Sequence, residues 1–570
     1  MRSARDVILL IIVIFLSSVF RLIPFLESDF KPYSWDGLSI VYGAQRLLEN
    51  GTFTPDILQQ SGYSPIEYVR RKPYYPFSQL LLVHFHIFIS NFFGVKLYNS
   101  IVFLSLILNI VILLLIYFNI ALMTENKKLA TLGALIAAIF PTSTRDIIWC
   151  TLFSLLGYII ILLSLLSLMI YVKFRKIIGL VLSLIFVFAL SPIIHLLTSI
   201  VLIPAYILTL AFMLNNYFNL KHIKKIRKLF FTFAFAFIIL VIGSLSFINM
   251  IVSYPETSNL NIFEKVIFVL YLGSSYYMHA RFTTPLHQPW NIPLIYGYGQ
   301  FIFGIIGLMR IRIREVRVFL VSLFLTSFSL GNAYLIGFNY YGERPILFGW
   351  ISISLALPYG ISLFIEYLKD IFNNRWVRFS IVTIAISAVF INSYVYQKDF
   401  YESWKPSLPS EYDLEAIRWL NEKADKKYTI LTIHYWPYAA TKWIPILTNM
   451  NTTFLNMESV ANYDEYQPPT YTPKGFIGFI ANKLKNEKIE LAFKKFVNHT
   501  FKIGFDQLGY ETFLMCKYPD SNESKKLFDE YKVKYIYLYN DTPEDKIMRS
   551  STNFKLVWSN RVINIYERKD

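Results

Sequence analysis

The 570-residue chain is 55% hydrophobic and only 16% charged, with aromatic residues at 18% and a mean hydropathy of +0.44. A water-soluble enzyme of this length needs far more polar surface, so composition excludes a purely soluble protein and makes lipid the main solvent. The net charge of +17 would suit nucleic acid, but its distribution excludes that partner, and two cysteines, Cys150 and Cys516, exclude a disulfide framework.

The first apolar run, Val7–Phe20, has no small-residue cleavage site after it; Arg21-Leu22-Ile23-Pro24 follows, and it reads as a retained anchor. Further apolar stretches of spanning length lie near 99–122, 129–143, 148–172, 177–191, 196–214, 229–250, 294–309, 318–336, 346–365 and 379–396, about eleven spans with the first, near 7–26. Segments 1–6, 124–128, 173–176, 221–228, 310–317 and 366–378 carry +1, +1, +3, +5, +3 and +1. All fall on one side of the membrane, which the positive-inside rule makes the cytoplasm. The basic excess is a topological signal. Counting the apolar segment Pro76–Gly94 as a span would invert everything after it, so it reads as a helix along the outer interface, within a long first external loop of residues 27–98.

After Tyr396 the chain turns polar, so a membrane domain of residues 1–396 is expected to precede an extracytoplasmic domain of residues 397–570. Glu411–Lys423 has the apolar spacing of a helix, with Leu414, Ile417 and Leu420 on one face. Strand-like runs follow at Thr429–Ile433, Val533–Leu538, Phe554–Trp558 and Val562–Tyr566, the last two forming a terminal hairpin. The fold class is therefore a polytopic α-helical membrane protein with a C-terminal α/β domain. Asn-x-Ser/Thr triplets at Asn50, Asn451, Asn498, Asn522 and Asn540 all fall on the expected outer side. The apparent lack of an inverted repeat weighs against a lipid-glycan flippase or other transporter.

Ionisable groups in a bilayer are costly, and here they gather at the expected outer ends of the spans: Arg21, Glu27, Asp29, Asp36, Arg145, Asp146, His195, His279, Arg281, Glu343 and Arg344. An ion-coupled transporter would carry them at mid-membrane; an enzyme working at the headgroups needs them here. Asp36, in Ser34-Trp35-Asp36-Gly37, opens a short helix that stops at Asn50-Gly51. Its carboxylate suits a general base for an acceptor hydroxyl, a ligand for a divalent metal such as Mg or Mn, or an N-cap. Arg145-Asp146 reads as an interfacial ion pair or as a second acid beside a cation. Arg344, after Glu343, offers a permanently charged fork for a phosphate, or a snorkelling arginine. His195, in the turn after Ser191-Pro192, is a phosphate contact or a helix cap.

The layout resembles the GT-C superfamily of integral membrane glycosyltransferases, particularly archaeal relatives of the oligosaccharyltransferase catalytic subunit. The resembling pieces are SWDGLSIVYGAQRLLENG after the first span, GALIAAIFPTSTRD at 133–146, Glu343-Arg344-Pro345, and AIRWLNEKADKKYTILTIHYWPYAA at 416–440. The resemblance implies sugar transfer from a polyprenyl-phosphate-linked donor to a glycan or glycoprotein acceptor at the outer face of the cell membrane. It implies that a loop acid in the place of Asp36 works at the reaction centre, with a divalent metal; Ile147–Leu152, where the family has a further acid, has none, so Asp146 stands as the second catalytic acid and metal ligand. Outer-face clustering and the resemblance together make Arg344, Glu343, Arg145, His195 and Arg281 the expected substrate contacts. Where oligosaccharyltransferases carry Trp-Trp-Asp-Tyr-Gly, this chain has His434-Tyr435-Trp436-Pro437-Tyr438, without the acid. A single-sugar transferase is therefore expected ahead of a protein N-glycosylation enzyme.

Overall fold

The computed structural model describes residues 2–33, 35–51, 76–217, 259–273, 297–332, 344–405, 408–434, 440–456, 475–503, 511–512 and 514–569. Among these residues six helices are long and apolar enough to cross a membrane: Ile8–Glu27, Leu97–Thr124, Leu152–Phe174, Ile177–Ile194, Pro345–Ile371 and Arg375–Glu402. Each coincides with an expected span. The expected span at 229–250 lies outside the described residues, and those near 196–214, 294–309 and 318–336 correspond to the helices Leu196–Tyr217, Tyr298–Arg310 and Arg314–Gly331. The stretch expected as one span over 129–143 is instead a twelve-residue helix, Lys127–Ala138, followed by a break. Phe140 is extended ahead of Pro141, which then opens a new helix, Pro141–Ile148; the residue before a proline is sterically pushed out of the helical region.

The chain divides into two compact units. The first comprises Met1–Leu26, Phe103–Phe400 and Pro469–Glu490; the second comprises Glu27–Val102, Tyr401–Pro468 and Leu491–Asp570. In the first unit, helices Tyr298–Arg310 and Gly349–Ile371 cross at backbone contact. A methyl group at Gly307 would overlap the Ala356 carbonyl, and one at Gly360 the Phe303 carbonyl. Small residues at such crossings let dispersion act between backbones, where lipid leaves little hydrophobic drive. Helix Ile177–Ile194 widens to π geometry over Ile185–Leu190 just before Pro192, whose ring cannot sit over a regular helical carbonyl.

In the second unit, helix Trp35–Asn50 packs on helices Pro76–Phe93 and Ala440–Thr448; the buried Trp443 meets Tyr98 edge-on at 5.7 Å. The C-terminal sheet comprises β1 Thr429–His434, β2 Asn451–Asn456, β3 Val533–Tyr539, β4 Phe554–Ser559 and β5 Ile563–Arg568, in the order β2-β1-β3-β5-β4. β2, β1 and β3 are parallel, whereas β5 pairs antiparallel with β3 and β4, so the expected terminal hairpin is present. Strand β2 lies outside the expected runs. Helix Glu411–Lys423 occupies the expected residues, closed by a capping box between Ser410 and Asp413. The same Asp413 accepts hydrogen bonds from Tyr537 at 2.6 Å and Tyr539 at 3.2 Å, tying helix to sheet.

Asp545 plays the corresponding part on the other side. Its buried carboxylate accepts from Asn564 at 2.7 Å and Tyr566 at 2.6 Å, and pairs with Arg549 at 2.8 Å. Burial alone would raise this carboxyl, but the hydrogen bonds from Asn564, Tyr566, the Asp541 amide and Arg549 outweigh it and hold the group below its ordinary value. A depressed carboxyl stabilises the fold above the unfolded pKa of about 3.9, and that stabilisation is lost as pH falls through the folded value.

Two outcomes follow. Asp545→Asn should destabilise the C-terminal sheet by about 2 kcal/mol at neutral pH, with a difference from wild type that shrinks toward pH 3, read by thermal unfolding. Gly307→Leu should cost about 2 kcal/mol through overpacking at the helix crossing, read as a lower melting point of the purified protein.

Candidate functional site

Just after the break at Phe140–Pro141 lies a buried carboxylate, Asp146. Helix Pro141–Ile148 is only eight residues long, and its final turn is closed by Thr151, whose amide and hydroxyl both donate to the Asp146 carbonyl, at 3.0 and 3.1 Å. Asp146 is 1% exposed. A buried carboxylate must be compensated, and two groups do so. The Tyr158 hydroxyl donates to Oδ2, and the Arg145 guanidinium stands 3.8 Å from Oδ1. The Arg145 guanidinium lies 4.7 Å above the Trp149 ring. Trp149 packs on Phe400 at 5.4 Å, and Phe400 stacks on Tyr396 at 6.0 Å.

An aromatic wall continues from Tyr158, which contacts Phe348 and Trp350, each at 5.3 Å. Trp350 in turn meets Phe140 at 5.4 Å, beside the start of the short helix. Phe348 faces His195 at 5.7 Å, and Phe153 flanks the same imidazole at 5.2 Å. His195 sits in extended backbone between helices Ile177–Ile194 and Leu196–Tyr217; its Nδ1 shares a 2.8 Å hydrogen bond with Thr198. Gly157 makes room for this arrangement. A methyl there would overlap the Thr198 hydroxyl and come within 3.3 Å of both His195 Nδ1 and the Phe348 ring.

The structure thus brings Asp146, Arg145 and His195 together around Tyr158 and Phe348. Arg344 opens the 3-10 turn Arg344–Phe348, whose last residue is that same Phe348, so its backbone begins about 8 Å along the turn from the wall. The Arg344 side chain lies outside the described residues, as do Glu343 and Arg281. Asp36 is the second residue of helix Trp35–Asn50 rather than its cap, in the second unit; its side chain also lies outside the described residues. Sequence reasoning missed Tyr158, Phe348 and Trp350, which look like ordinary span aromatics until the carboxylate partner twelve residues earlier is known.

The arrangement holds a guanidinium in apolar surroundings, with Asp146 anchoring the cation rather than standing free, and an imidazole packed between Phe153 and Phe348. Both Asp146 oxygens have partners, one of them a cation, and this donor set does not suit Mg or Mn. Among the described residues no group of three or more His, Cys, Asp or Glu side chains could hold a metal ion.

Tyr158→Phe and Asp146→Asn should each lower stability by about 2 kcal/mol, the first removing a charge-assisted hydrogen bond and the second stranding Arg145. Thermal unfolding in lipid nanodiscs should show the double variant losing clearly less than the sum; strict additivity would contradict the pairing.

No protein-family model and no curated protein matches the chain. Solved structures do. The archaeal oligosaccharyltransferase AglB from Archaeoglobus fulgidus, in complex with an inhibitory peptide and a dolichol-phosphate, is 12% identical with a TM-score of 0.50, over 94% of this chain and 70% of that one. The same protein tethered to an acceptor peptide containing the NVT sequon gives 12%, 0.51, 94% and 69%. ArnT from Cupriavidus metallidurans bound to undecaprenyl phosphate is 11% identical with a TM-score of 0.53, over 98% of this chain and 97% of that one. At such identities the likeness speaks of fold, and it extends over nearly the whole chain. With its six apolar helices among the described residues and its C-terminal sheet, the chain is a multi-pass membrane protein that shares the fold of these solved membrane proteins.

Proposed function

We propose that the chain is a membrane glycosyltransferase that moves a sugar from a polyprenyl-phosphate-linked donor to a glycan or glycoprotein acceptor. The observation that carries this reading is the end-to-end likeness to folds whose solved complexes hold undecaprenyl phosphate and dolichol-phosphate. A fixed cation, Arg145, in an aromatic setting supplies what a lipid phosphate needs: charge in a water-poor place.

In the proposed reaction Asp36 takes the proton of an acceptor hydroxyl as its oxygen attacks the anomeric carbon. The bond from that carbon to the phosphate oxygen breaks, and the polyprenyl phosphate leaves with the electron pair. Arg344 and Arg145 receive the departing phosphate, Asp146 holds Arg145, and His195, Glu343 and Arg281 line the donor side. A divalent metal, Mg or Mn, would be held at Asp36, where it would neutralise phosphate charge. The loop-charge pattern supports a cytoplasmic N-terminus and catalysis at the extracytoplasmic face of the cell membrane, with residues 397–570 as the external domain after a membrane domain of residues 1–396.

Protein N-glycosylation is the second reading, favoured by the sequon-tethered neighbour. The 97% coverage of ArnT against 70% of AglB supports the smaller transferase. The test is purified protein in nanodiscs with a polyprenyl-phosphate-linked radiolabelled sugar and two acceptors, a lipid-linked glycan and a sequon peptide. The wild type should release polyprenyl phosphate and label the glycan; Asp36→Ala should be slower by roughly 10²–10⁴ with its fold intact. Labelling of the peptide alone would install the second reading. An Asp36→Ala rate equal to wild type would remove the base, and lipid translocation without transfer would mean a flippase.

A further inference from the structure

We propose that Arg21, buried inside the first apolar helix, is a positioning residue that clamps the segment carrying Arg145 and Asp146. The clamp is a statement about structure; only its consequence for catalysis rests on the glycosyltransferase reading.

A guanidinium within a membrane span is costly and calls for a reason. Arg21 is 1% exposed. It lies six residues before the helix end at Glu27, about 9 Å along the axis. Its Nη1 donates to Asn109 Oδ1, and its Nη2 to the Ala137 carbonyl at 3.4 Å. Ala137 belongs to the last turn of helix Lys127–Ala138, where its carbonyl accepts from the Phe140 amide at 3.2 Å beside the Arg21 fork and the negative end of the helix dipole favours a cation. Four residues beyond Ala137 the site helix Pro141–Ile148 begins.

The far end of the same segment is tied to the same helix. Ser105 precedes Asn109 by four residues on helix Leu97–Thr124, so both project from one face. The Ser105 hydroxyl hydrogen-bonds the thiol of Cys150, two residues past the end of the site helix. Residues 138–151 are therefore held at entry through Arg21 and Asn109, and at exit through Ser105. Between the two ties lie Arg145 and Asp146. A planar fork reaches a side-chain amide and a backbone carbonyl in fixed directions; an ammonium gives a single compact charge.

The buried Cys150 reports on the clamp without any turnover. Its thiol is fully covered, so alkylation should be slow. The experiment is N-ethylmaleimide labelling of Cys150 in the full-length protein in nanodiscs, with Cys516→Ala as background, read by peptide mass spectrometry. Arg21→Met should label at least about ten-fold faster as the segment opens locally. Arg21→Lys should fall between, and Asp545→Asn, which loosens the C-terminal sheet of the second unit, should stay at the wild-type rate. If Arg21→Met fails to fold, Asn109→Leu makes the same prediction. Wild-type labelling in the Arg21 and Asn109 variants, or equal acceleration in Asp545→Asn, overturns the clamp. Because the readout needs no donor, its failure and the failure of the transferase reading are separate results.

Discussion

The meeting of the Asp146 carboxylate with the Tyr158 hydroxyl and the Arg145 guanidinium fixes the rest of the described site. Neither charge could enter this water-poor place alone, because an uncompensated buried ion costs several kcal/mol. Once paired, they set the path of the chain. Helix Pro141–Ile148 stays short, its last carbonyls turn to Thr151, and Tyr158 must stand one helix away with its ring wedged between Phe348 and Trp350. That wedge brings Phe348 to His195, and with it the turn that Arg344 opens. One ion pair thus gathers residues separated by two hundred positions of sequence.

The apolar scaffold works by a different rule. Its helices have no water to avoid within lipid, so contact is earned by close approach, as where Gly307 and Gly360 bring two backbones together. Gly157 applies the same device at the site, leaving room for Thr198 and His195. The C-terminal sheet returns to the chemistry of soluble proteins, with Asp413 and Asp545 each joining a helix N-terminus to tyrosines of the sheet.

Much of this was legible in the sequence where the signal is local. Runs of apolar residues of bilayer length marked the six long helices, and short strand-like runs rich in β-branched and aromatic residues marked β1, β3, β4 and β5. Glu411–Lys423 could be read to the residue from its apolar spacing, and the structure closes it with the Ser410–Asp413 box. Strand β2 was not legible. Its Asn-Thr-Thr opening looks like loop, and pairing with β1 is what makes it a strand. The split of 129–143 into two helices was missed because hydropathy is blind to Pro141 and Phe140. Of the candidate site, Arg145, Asp146 and His195 were visible as charges out of place, whereas Tyr158, Phe348 and Trp350 acquire meaning only through contacts that no spacing rule encodes. Arg21 was visible too, but its partners Asn109 and Ala137 lie far along the chain.

The central proposal is that a lipid phosphate binds in the first unit beside Arg145, Asp146, His195 and the turn that Arg344 opens. Determining the structure of the protein with a polyprenyl monophosphate bound tests it most directly. The account predicts the phosphate within hydrogen-bonding reach of Arg145 or Arg344, beside the wall of Phe348 and Trp350. A phosphate seated away from these residues would contradict it.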